Sequence, residues 1–141
     1  MGQIIEFIGN HPLPVVAFLA TLGMLSFTEY TRMFSGVKAL GPYVATQLLN
    51  SGEAIFVDVR TDGEYKNGHI INARSMPVNN LDKHIHELEK FKEKDIVVYC
   101  ETGMRATKAA GKLRKNGFTR INTIAGGLAA WEKANLPTVS K

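Results

Sequence analysis

The single cysteine of the chain lies in a stretch that predicts a strand, a loop and a helix in direct succession. The run 96–99 (Ile-Val-Val-Tyr) is apolar and β-branched, as in a buried strand, and Cys100 ends it. A short loop with Gly103 and Arg105 leads into a helical pattern over 104–116. Where a strand turns into a helix N-terminus, several backbone N–H groups converge on one point. Such a point stabilises a thiolate, which is the reactive form of cysteine in nucleophilic chemistry.

A buried, inert cysteine is the alternative, because free cysteine is often fully buried and packs as a small apolar group. Gly103 and Arg105 favour a functional thiol, since a packing role for Cys100 requires neither residue. One cysteine excludes a disulfide within the chain and suits a reducing compartment. Any exchange of sulfur at Cys100 must therefore end on a second molecule.

The rest of the chain predicts one compact domain with a short appendage, as its 141 residues allow. Short apolar runs alternate with helical patterns over residues 37–139. The predicted strands cover 37–40, 54–59, 95–99 and 121–124, and the predicted helices cover 42–50, 79–91, 104–116 and a short segment around Trp131. This order predicts an α/β domain with a mainly parallel central sheet flanked by helices. Active sites of such sheets lie beyond the carboxyl ends of the strands, where the pattern puts Cys100.

Residues 1–34 are predicted to form an N-terminal membrane anchor. Residues 7–28 include no aspartate, glutamate, lysine or arginine, and residues 13–27 are almost wholly apolar. A hydrocarbon layer of about 30 Å needs roughly 20 helical residues. We therefore expect one transmembrane helix over about 13–34, with Pro14 in its first turn. An interfacial helix or an apolar oligomer contact is the alternative for the same stretch.

The flanks of this segment predict its orientation. The residues before it include Glu6 and no lysine or arginine, which disfavours a cleaved signal peptide. Arg32 and Lys38 follow it, so the positive-inside rule places the later domain in the cytoplasm, after a single pass through the inner membrane. Gly23 and Ser26 would permit a homo-oligomer, although no GxxxG pattern supports close helix pairing.

The composition narrows the classes of partner and cofactor. The formal net charge is +4, and part of the excess falls in the predicted helix 104–116, whose dipole favours cations near its C-terminus. The sequence has no arginine-rich arm and no interleaved basic and aromatic residues, so we expect no nucleic-acid partner. His84 and His86 stand two residues apart in a predicted helix, which is the wrong spacing for joint metal ligation. We expect neither a metal ion nor a cofactor.

Three stretches together resemble the rhodanese (sulfurtransferase) homology domain. The first consists of 57–60 (Val-Asp-Val-Arg), 64–65 (Glu-Tyr), 68–70 (Gly-His-Ile), Ala73 and Pro77; the second is the Cys100 loop; the third consists of 117–118 (Gly-Phe), 125–128 (Ala-Gly-Gly-Leu), 130–131 (Ala-Trp) and Pro137. They occur in the family's order and cover about residues 37–139. One departure is Ile71-Asn72, where family members often carry proline or glycine. The anchor followed by one such domain resembles a membrane-tethered, single-domain bacterial subgroup.

The resemblance implies sulfur transfer. Cys100 would attack the outer sulfur of thiosulfate or of a persulfide donor, become a persulfide, and pass that sulfur to cyanide or to a thiol such as thioredoxin or glutathione. The implied donor-binding residues are Glu101, Thr102, Gly103, Met104 and Arg105. Their backbone N–H groups would hold the anion, and the Arg105 guanidinium would grip an oxyanion unless it forms a surface salt bridge. The Glu101 carboxylate would repel thiosulfate unless it turned outward.

Asp58, Arg60 and His69 are further candidates for a supporting role in this site. Asp58 and Arg60 end a predicted strand and are expected to form a structural ion pair or a capping network. His69 lies between glycine and isoleucine, which favours a hydrogen-bonded structural histidine. A thiol that is already a thiolate needs no base. Trp131 is expected to pack in the core beside the site.

Two other functions compete with sulfur transfer. Cysteine-based phosphatases use a Cys-x5-Arg loop that closes around phosphate, whereas Cys100 and Arg105 give Cys-x4-Arg after Tyr99. The smaller ring suits sulfur rather than phosphate or arsenate. The second competitor is a membrane-tethered rhodanese-fold binding module without catalysis, in which Cys100 is incidental. The combination of Cys100, Gly103 and Arg105 argues against it, because a binding module needs none of the three.

Overall fold

The computed structural model describes residues 1–34 and 36–140, and the chain forms two compact units, Met1–Gly36 and Val37–Lys141. The first unit consists of the helices α1 (Gly2–Asn10) and α2 (Pro12–Phe34). Within α2, the stretch Pro12–Thr31 is long and apolar enough to cross a membrane, and its apolar window is not buried in the structure. Helix α1 is not among the helices predicted from the sequence.

The second unit is built on a five-stranded sheet whose neighbouring strands run parallel. Its strands are β1 (Lys38–Leu40), β2 (Ala54–Asp58), β3 (Arg74–Ser75), β4 (Asp95–Tyr99) and β5 (Ile121–Ile124). The order across the sheet is β1-β5-β4-β2-β3. Asp58 of β2 lies opposite Tyr99 of β4, so the carboxyl ends of these two strands are side by side. The predicted α/β fold with a parallel central sheet is confirmed.

Helices connect the strands of this sheet and cover it. They are α3 (Pro42–Ser51), α4 (Asp62–Asn67), α5 (Leu81–His84), α6 (Met104–Lys115) and α7 (Gly127–Lys133). The predicted helices 42–50 and 104–116 agree with α3 and α6 to within one residue. Helix α4 and strand β3 are missing from the prediction, because six and two residues are too few to show a hydrophobic period.

The continuous helix predicted over 79–91 is wrong. The segment is α5 between two 3-10 stretches, Val78–Asn80 and Ile85–Phe91. Ile85, Leu88 and Phe91 recur every three residues, which matches the three residues per turn of a 3-10 helix. Leu88 is fully buried, and Ile85 and Phe91 pack against the same core. The 3-10 winding, which is tighter than that of an α-helix, therefore directs all three side chains to the core.

Strand β4 divides its side chains between the two faces of the sheet. Ile96, Val98 and Cys100 belong to one core, whereas Val97 and Tyr99 belong to the other, which includes residues of α3 and α7. This division follows from the two-residue period of a strand. Helix α6 contributes a buried stripe to the core of Cys100, formed by Ala106, Ala109, Ala110 and Leu113. Because side chains alternate along β4, Cys100 lies on the face of the sheet that α6 covers.

Candidate active site

Cys100 lies in the turn between β4 and α6, and its sulfur faces backbone donors. Sγ accepts N–H bonds from Gly103 at 3.0 Å and from Ala106 at 3.4 Å. Cys100 is 1% exposed, so its sulfur is sheltered from bulk water. Helix α6 runs for 12 residues from Met104, and the N–H groups of its first turn carry partial positive charge. These donors are arranged to hold negative charge on Sγ.

Gly103 sets the path of the loop. Its φ of 120° lies in a region that glycine enters readily and other residues rarely adopt. No neighbouring atom lies within 4 Å of the position that a Cβ would take, so the backbone angle rather than crowding requires glycine here. The Gly103 carbonyl accepts the Thr107 N–H at 3.0 Å and the Thr107 hydroxyl at 2.9 Å. The loop is thereby joined to α6 while the Gly103 N–H stays on Sγ.

The beginning of α7 holds the loop from its other side. The Leu128 N–H donates to the Cys100 carbonyl at 2.8 Å, and the Ala129 N–H donates to the Glu101 carbonyl at 3.1 Å. Gly127 makes this approach possible, because a Cβ there would lie 2.5 Å from the Glu101 carbonyl oxygen and 2.6 Å from that of Cys100. These two bonds fix the backbone of Cys100 and Glu101 against α7, on the side of the turn opposite α6.

Arg105 is paired with Glu64, which the sequence does not indicate. The guanidinium makes two bonds to the carboxylate, from Nη1 to Oε2 at 2.8 Å and from Nη2 to Oε1 at 3.0 Å. The Glu64 carboxylate also accepts a hydrogen bond from the Thr61 N–H at 3.0 Å, and the Glu64 N–H donates to the Thr61 hydroxyl at 3.3 Å. These two bonds form the capping box of α4. The bond from Arg105, followed by that from Thr61, lowers the pKa of Glu64 to about 2.

This pair bears directly on the two roles predicted for Arg105. The bond to Glu64 raises the pKa of the Arg105 guanidinium, and a smaller contribution to that rise comes from Cys100. The charge of Arg105 is therefore matched by the carboxylate of Glu64. The salt bridge is the role that the structure contains, and oxyanion binding by Arg105 stays a prediction.

Arg60 forms a second ion pair beside the loop. Its Nη2 lies 2.8 Å from Asp58 Oδ2 and donates to the Gly68 carbonyl at 2.6 Å, and its Nε bonds both Asp58 oxygens. Burial lowers the pKa of Arg60, but the bond to Asp58 and the nearby negative charges outweigh it, so the net shift is upward. Nη1 reaches Glu101 Oε2 at 3.3 Å, which links the pair to the Cys100 loop. The structural ion pair expected for Asp58 and Arg60 is present.

His69 makes its contacts away from the sulfur. Its Nδ1 lies 2.7 Å from the Tyr65 carbonyl oxygen, and its ring stacks on the Tyr65 ring with 3.7 Å between centroids. The backbones of His69 and Val139 exchange two hydrogen bonds of 2.8 Å. These contacts fit the structural histidine that the sequence favours. Within residues 1–34 and 36–140, no group of three or more His, Cys, Asp or Glu side chains is arranged to hold a metal ion.

The remaining predicted site residues form the outer surface of the loop. Thr102 is exposed, and Met104 is 83% exposed despite its apolar side chain. The Glu101 side chain is 44% exposed and turns towards Arg60. The Gly103 N–H of the loop thus points to the sulfur, whereas the Thr102 and Met104 side chains are exposed to solvent. Trp131 is buried in the core as expected and donates from Nε1 to the Pro137 carbonyl at 3.0 Å.

Two features of the site were missed from the sequence although signals for them exist. The pattern Thr61-x-x-Glu64 has the form of a capping box, which predicts the start of α4 and the position of Glu64. The dipeptide Gly126-Gly127 is a signal for a turn, and both residues have positive φ, 74° and 64°. Neither pattern predicts the tertiary contacts of these residues, which are with Arg105 for Glu64 and with the Cys100 loop for Gly127.

Comparison with known proteins gives a consistent assignment. The family model of the Rhodanese-like domain matches residues 42–134. The chain is 33% identical over 140 residues to Uncharacterized protein YibN of Escherichia coli strain K12, which covers 99% of this chain and 98% of that protein. It is 30% identical over 97 residues to a Sulfurtransferase of Allochromatium vinosum, which covers 69% of this chain and 89% of that protein.

The solved structures agree with these relatives. The Rhodanese-like domain of the Anabaena protein Alr3790 is similar with a TM-score of 0.66 and 33% identity, covering 73% of this chain and 79% of that chain. The relatives thus include a sulfurtransferase, which supports sulfur transfer as the chemistry at the level of the family. The match over residues 42–134, together with the fold around Cys100, shows that the chain belongs to the rhodanese-like domain family.

Proposed function

We propose that the chain is a rhodanese-type sulfurtransferase that carries sulfur on Cys100 as a persulfide. The Cys100 thiolate attacks the outer sulfur of thiosulfate or of a persulfide donor. A bond forms between Sγ and that sulfur, the S–S bond of the donor breaks, and its electron pair leaves with sulfite or with the thiolate of the donor. Cyanide or a thiol, such as thioredoxin or glutathione, then attacks the terminal sulfur and regenerates the Cys100 thiolate. The cycle needs no external oxidant or reductant.

The pair of N–H bonds on Sγ is the observation that carries this proposal. Gly103 and Ala106 donate to the sulfur from 3.0 Å and 3.4 Å, at the N-terminus of α6. Donors fixed in this way stabilise the thiolate before attack and the anionic persulfide after it, without rearranging. The Gly103 N–H belongs to residues 101–105 and supports their assignment as the donor-binding loop. The short Cys-x4-Arg spacing favours a sulfur atom over a phosphate group.

We also infer that α2 is a single-pass anchor in the inner membrane, with the second unit in the cytoplasm. The apolar stretch Pro12–Thr31 supports a span, and Arg32 and Lys38 after it support this orientation. Protease added to membrane vesicles of known sidedness tests the proposal. The second unit should be digested in vesicles that expose the cytoplasmic side and protected in vesicles of the opposite orientation. Protection in the first kind, or extraction of the chain by alkaline carbonate, would contradict it.

Intact mass measurement of the full chain in detergent tests the chemistry. The expected result is a gain of one sulfur atom after exposure to thiosulfate or to a persulfide, reversed by cyanide and absent in Cys100→Ser. Serine keeps the size of the side chain, so the variant removes the nucleophile with little change in packing. If no donor adds sulfur to the folded protein, the membrane-tethered binding module becomes the better function. Turnover of an aryl phosphate at a matching rate would favour a phosphatase.

A further inference from the structure

We propose that the physiological donor of this site is a persulfide, R–S–SH, rather than the thiosulfate dianion. The inference rests on the proposed sulfur transfer and narrows its donor class. It follows from the side chains beside the Cys100 loop, where both arginines that approach the loop already have carboxylate partners.

Arg105 is the residue of the loop that would hold the sulfonate oxygens of thiosulfate. Its two Nη atoms are bonded to the two oxygens of Glu64 at 2.8 Å and 3.0 Å, which is the paired geometry that a sulfonate would otherwise adopt with a guanidinium. The capping box of α4 fixes Glu64 through Thr61, so the carboxylate is held where it is. A dianion would have to compete with a carboxylate that belongs to the fold.

Arg60 offers no free charge either. It is buried, and Asp58 accepts three of its side-chain hydrogen bonds. Glu101, which directly follows the nucleophile, takes its Nη1 at 3.3 Å and remains 44% exposed at the loop. The two arginines and the three carboxylates of this network carry two positive and three negative charges. A dianion approaching Cys100 therefore meets a net negative set of side chains, and only the backbone N–H groups favour it.

A persulfide brings less negative charge close to these carboxylates than the thiosulfate dianion does. The Cys100 thiolate attacks the terminal sulfur of R–S–SH, the bond from Sγ to that sulfur forms, and the bond between the two donor sulfurs breaks. The electron pair leaves with R–S⁻, and the proton stays on the transferred sulfur, so one negative charge is present before and after the step. The negative charge therefore moves from Sγ, where the Gly103 and Ala106 N–H groups hold it, to the departing R–S⁻, and the donor brings no second anion to the site. The terminal S–H on Cys100 then loses its proton to solvent, which gives the anionic persulfide.

The test compares two donors on the full chain in detergent. Thiosulfate and 2-hydroxyethyl persulfide, whose organic group is uncharged, are each mixed with the protein, and the second-order rate of sulfur addition to Cys100 is followed by intact mass. The variants are Glu64→Gln and Glu101→Gln, which keep an oxygen acceptor for the arginine and remove the negative charge. Asp82→Asn is the matched control, because it removes a carboxylate whose partner is Lys112, near the other end of α6.

The wild-type protein should accept sulfur faster from the persulfide. Each of the two glutamine variants should shift the ratio of the two rates towards thiosulfate by about threefold or more, which is the size expected for one charge in a partly exposed site. Asp82→Asn should leave the ratio unchanged. A wild-type rate with thiosulfate that equals or exceeds the persulfide rate, or a ratio that neither glutamine changes, overturns the inference.

The design separates this inference from the function on which it rests. Failure of both donors to add sulfur to the wild-type protein would reject sulfur transfer itself. If Glu64→Gln does not fold because of its role in the α4 cap, Glu101→Gln still decides the matter, since the Glu101 side chain is 44% exposed and lies outside that cap. Thermal unfolding of each variant shows which of them is folded at the temperature of the rate measurement.

Discussion

Replacing Gly127 with alanine should damage both the stability of the domain and the reactivity of Cys100. Gly127 has a φ of 64°, which costs a residue with a Cβ about 1–2 kcal/mol. The added Cβ would also lie 2.5 Å from the Glu101 carbonyl oxygen, 2.6 Å from that of Cys100 and 2.7 Å from the Glu101 carbonyl carbon. Each of these is a backbone atom, so relief requires the loop or α7 to move, at a cost of about 1–3 kcal/mol more.

Gly52→Ala is the control for the backbone angle. Gly52 has a φ of 70°, close to that of Gly127, but no neighbouring atom lies within 4 Å of its Cβ position. It therefore reports the cost of the left-handed conformation without a collision. The difference between the two variants isolates the collision, and at about 4–8 °C per kcal/mol for a domain of this size, Gly127→Ala should melt about 4–24 °C below Gly52→Ala.

The assay is thermal unfolding of the full chain in detergent, followed by the fluorescence of Trp131. Trp131 is the only tryptophan of the chain, is buried, and belongs to α7 itself. The rate of sulfur addition to Cys100, measured well below the melting temperature, should fall about tenfold or more in Gly127→Ala, because a small displacement of the loop misaligns the N–H donors. Equal melting temperatures for the two variants, or an unchanged rate in Gly127→Ala, would refute the reasoning.

Three further predictions concern the residues that flank the loop. Asp58→Asn should lower the unfolding free energy by about 3–5 kcal/mol, because it removes the buried counter-charge of Arg60 and leaves only the half-exposed Glu101 beside it; a loss as small as that of exposed Asp82→Asn would contradict this. Thr61→Ala should cost about 1 kcal/mol through the lost cap of α4, as judged by thermal unfolding. The pKa of Glu64 is about 2 in the folded chain against an ordinary 4.5, so its stabilisation is present above about pH 4.5 and is lost as the pH falls towards 2. The stability difference between wild type and Glu64→Gln should follow that course, and a difference that persists at about pH 2 would contradict it.

The central part of the fold can be predicted because its signals are local. The run 95–99 is β-branched and apolar, and the structure has a strand over those residues. Helix α6 follows the predicted bounds because its small apolar residues repeat at the spacing of a helix face and its last turn is basic. The same local patterns place Cys100 at the end of a strand and before a helix. That position brings the N–H donors of the loop and of α6 close to the sulfur.

The remainder depends on contacts that no local pattern encodes. Glu64 and Arg105 are 41 residues apart, and their bond depends on β2 and β4 being neighbours in the sheet. The expected helix over 79–91 fails for a related reason, since tertiary contact at Leu88 accompanies a tighter winding than the α-helical period indicates. The charge around Cys100 therefore follows from the topology of the sheet and could not be read from the loop itself.

In the proposed reaction, different parts of the chain would control the reactivity of Cys100 and the choice of donor. The backbone of Gly103 and Ala106, held in place by α7 through Gly127, acts on the sulfur that every donor must reach. Under the inference drawn above, Glu64 and Glu101 would act through charge on the part of the donor that does not react. A change at Gly127 should therefore slow all donors alike, whereas a change at Glu64 should alter their ratio. Gly127→Ala and Glu64→Gln are expected to act on different features of the reaction. The variant that carries both should therefore change the rate of sulfur addition to Cys100 by the product of the two single effects. A strong departure from that product would mean that Glu64 also positions the loop.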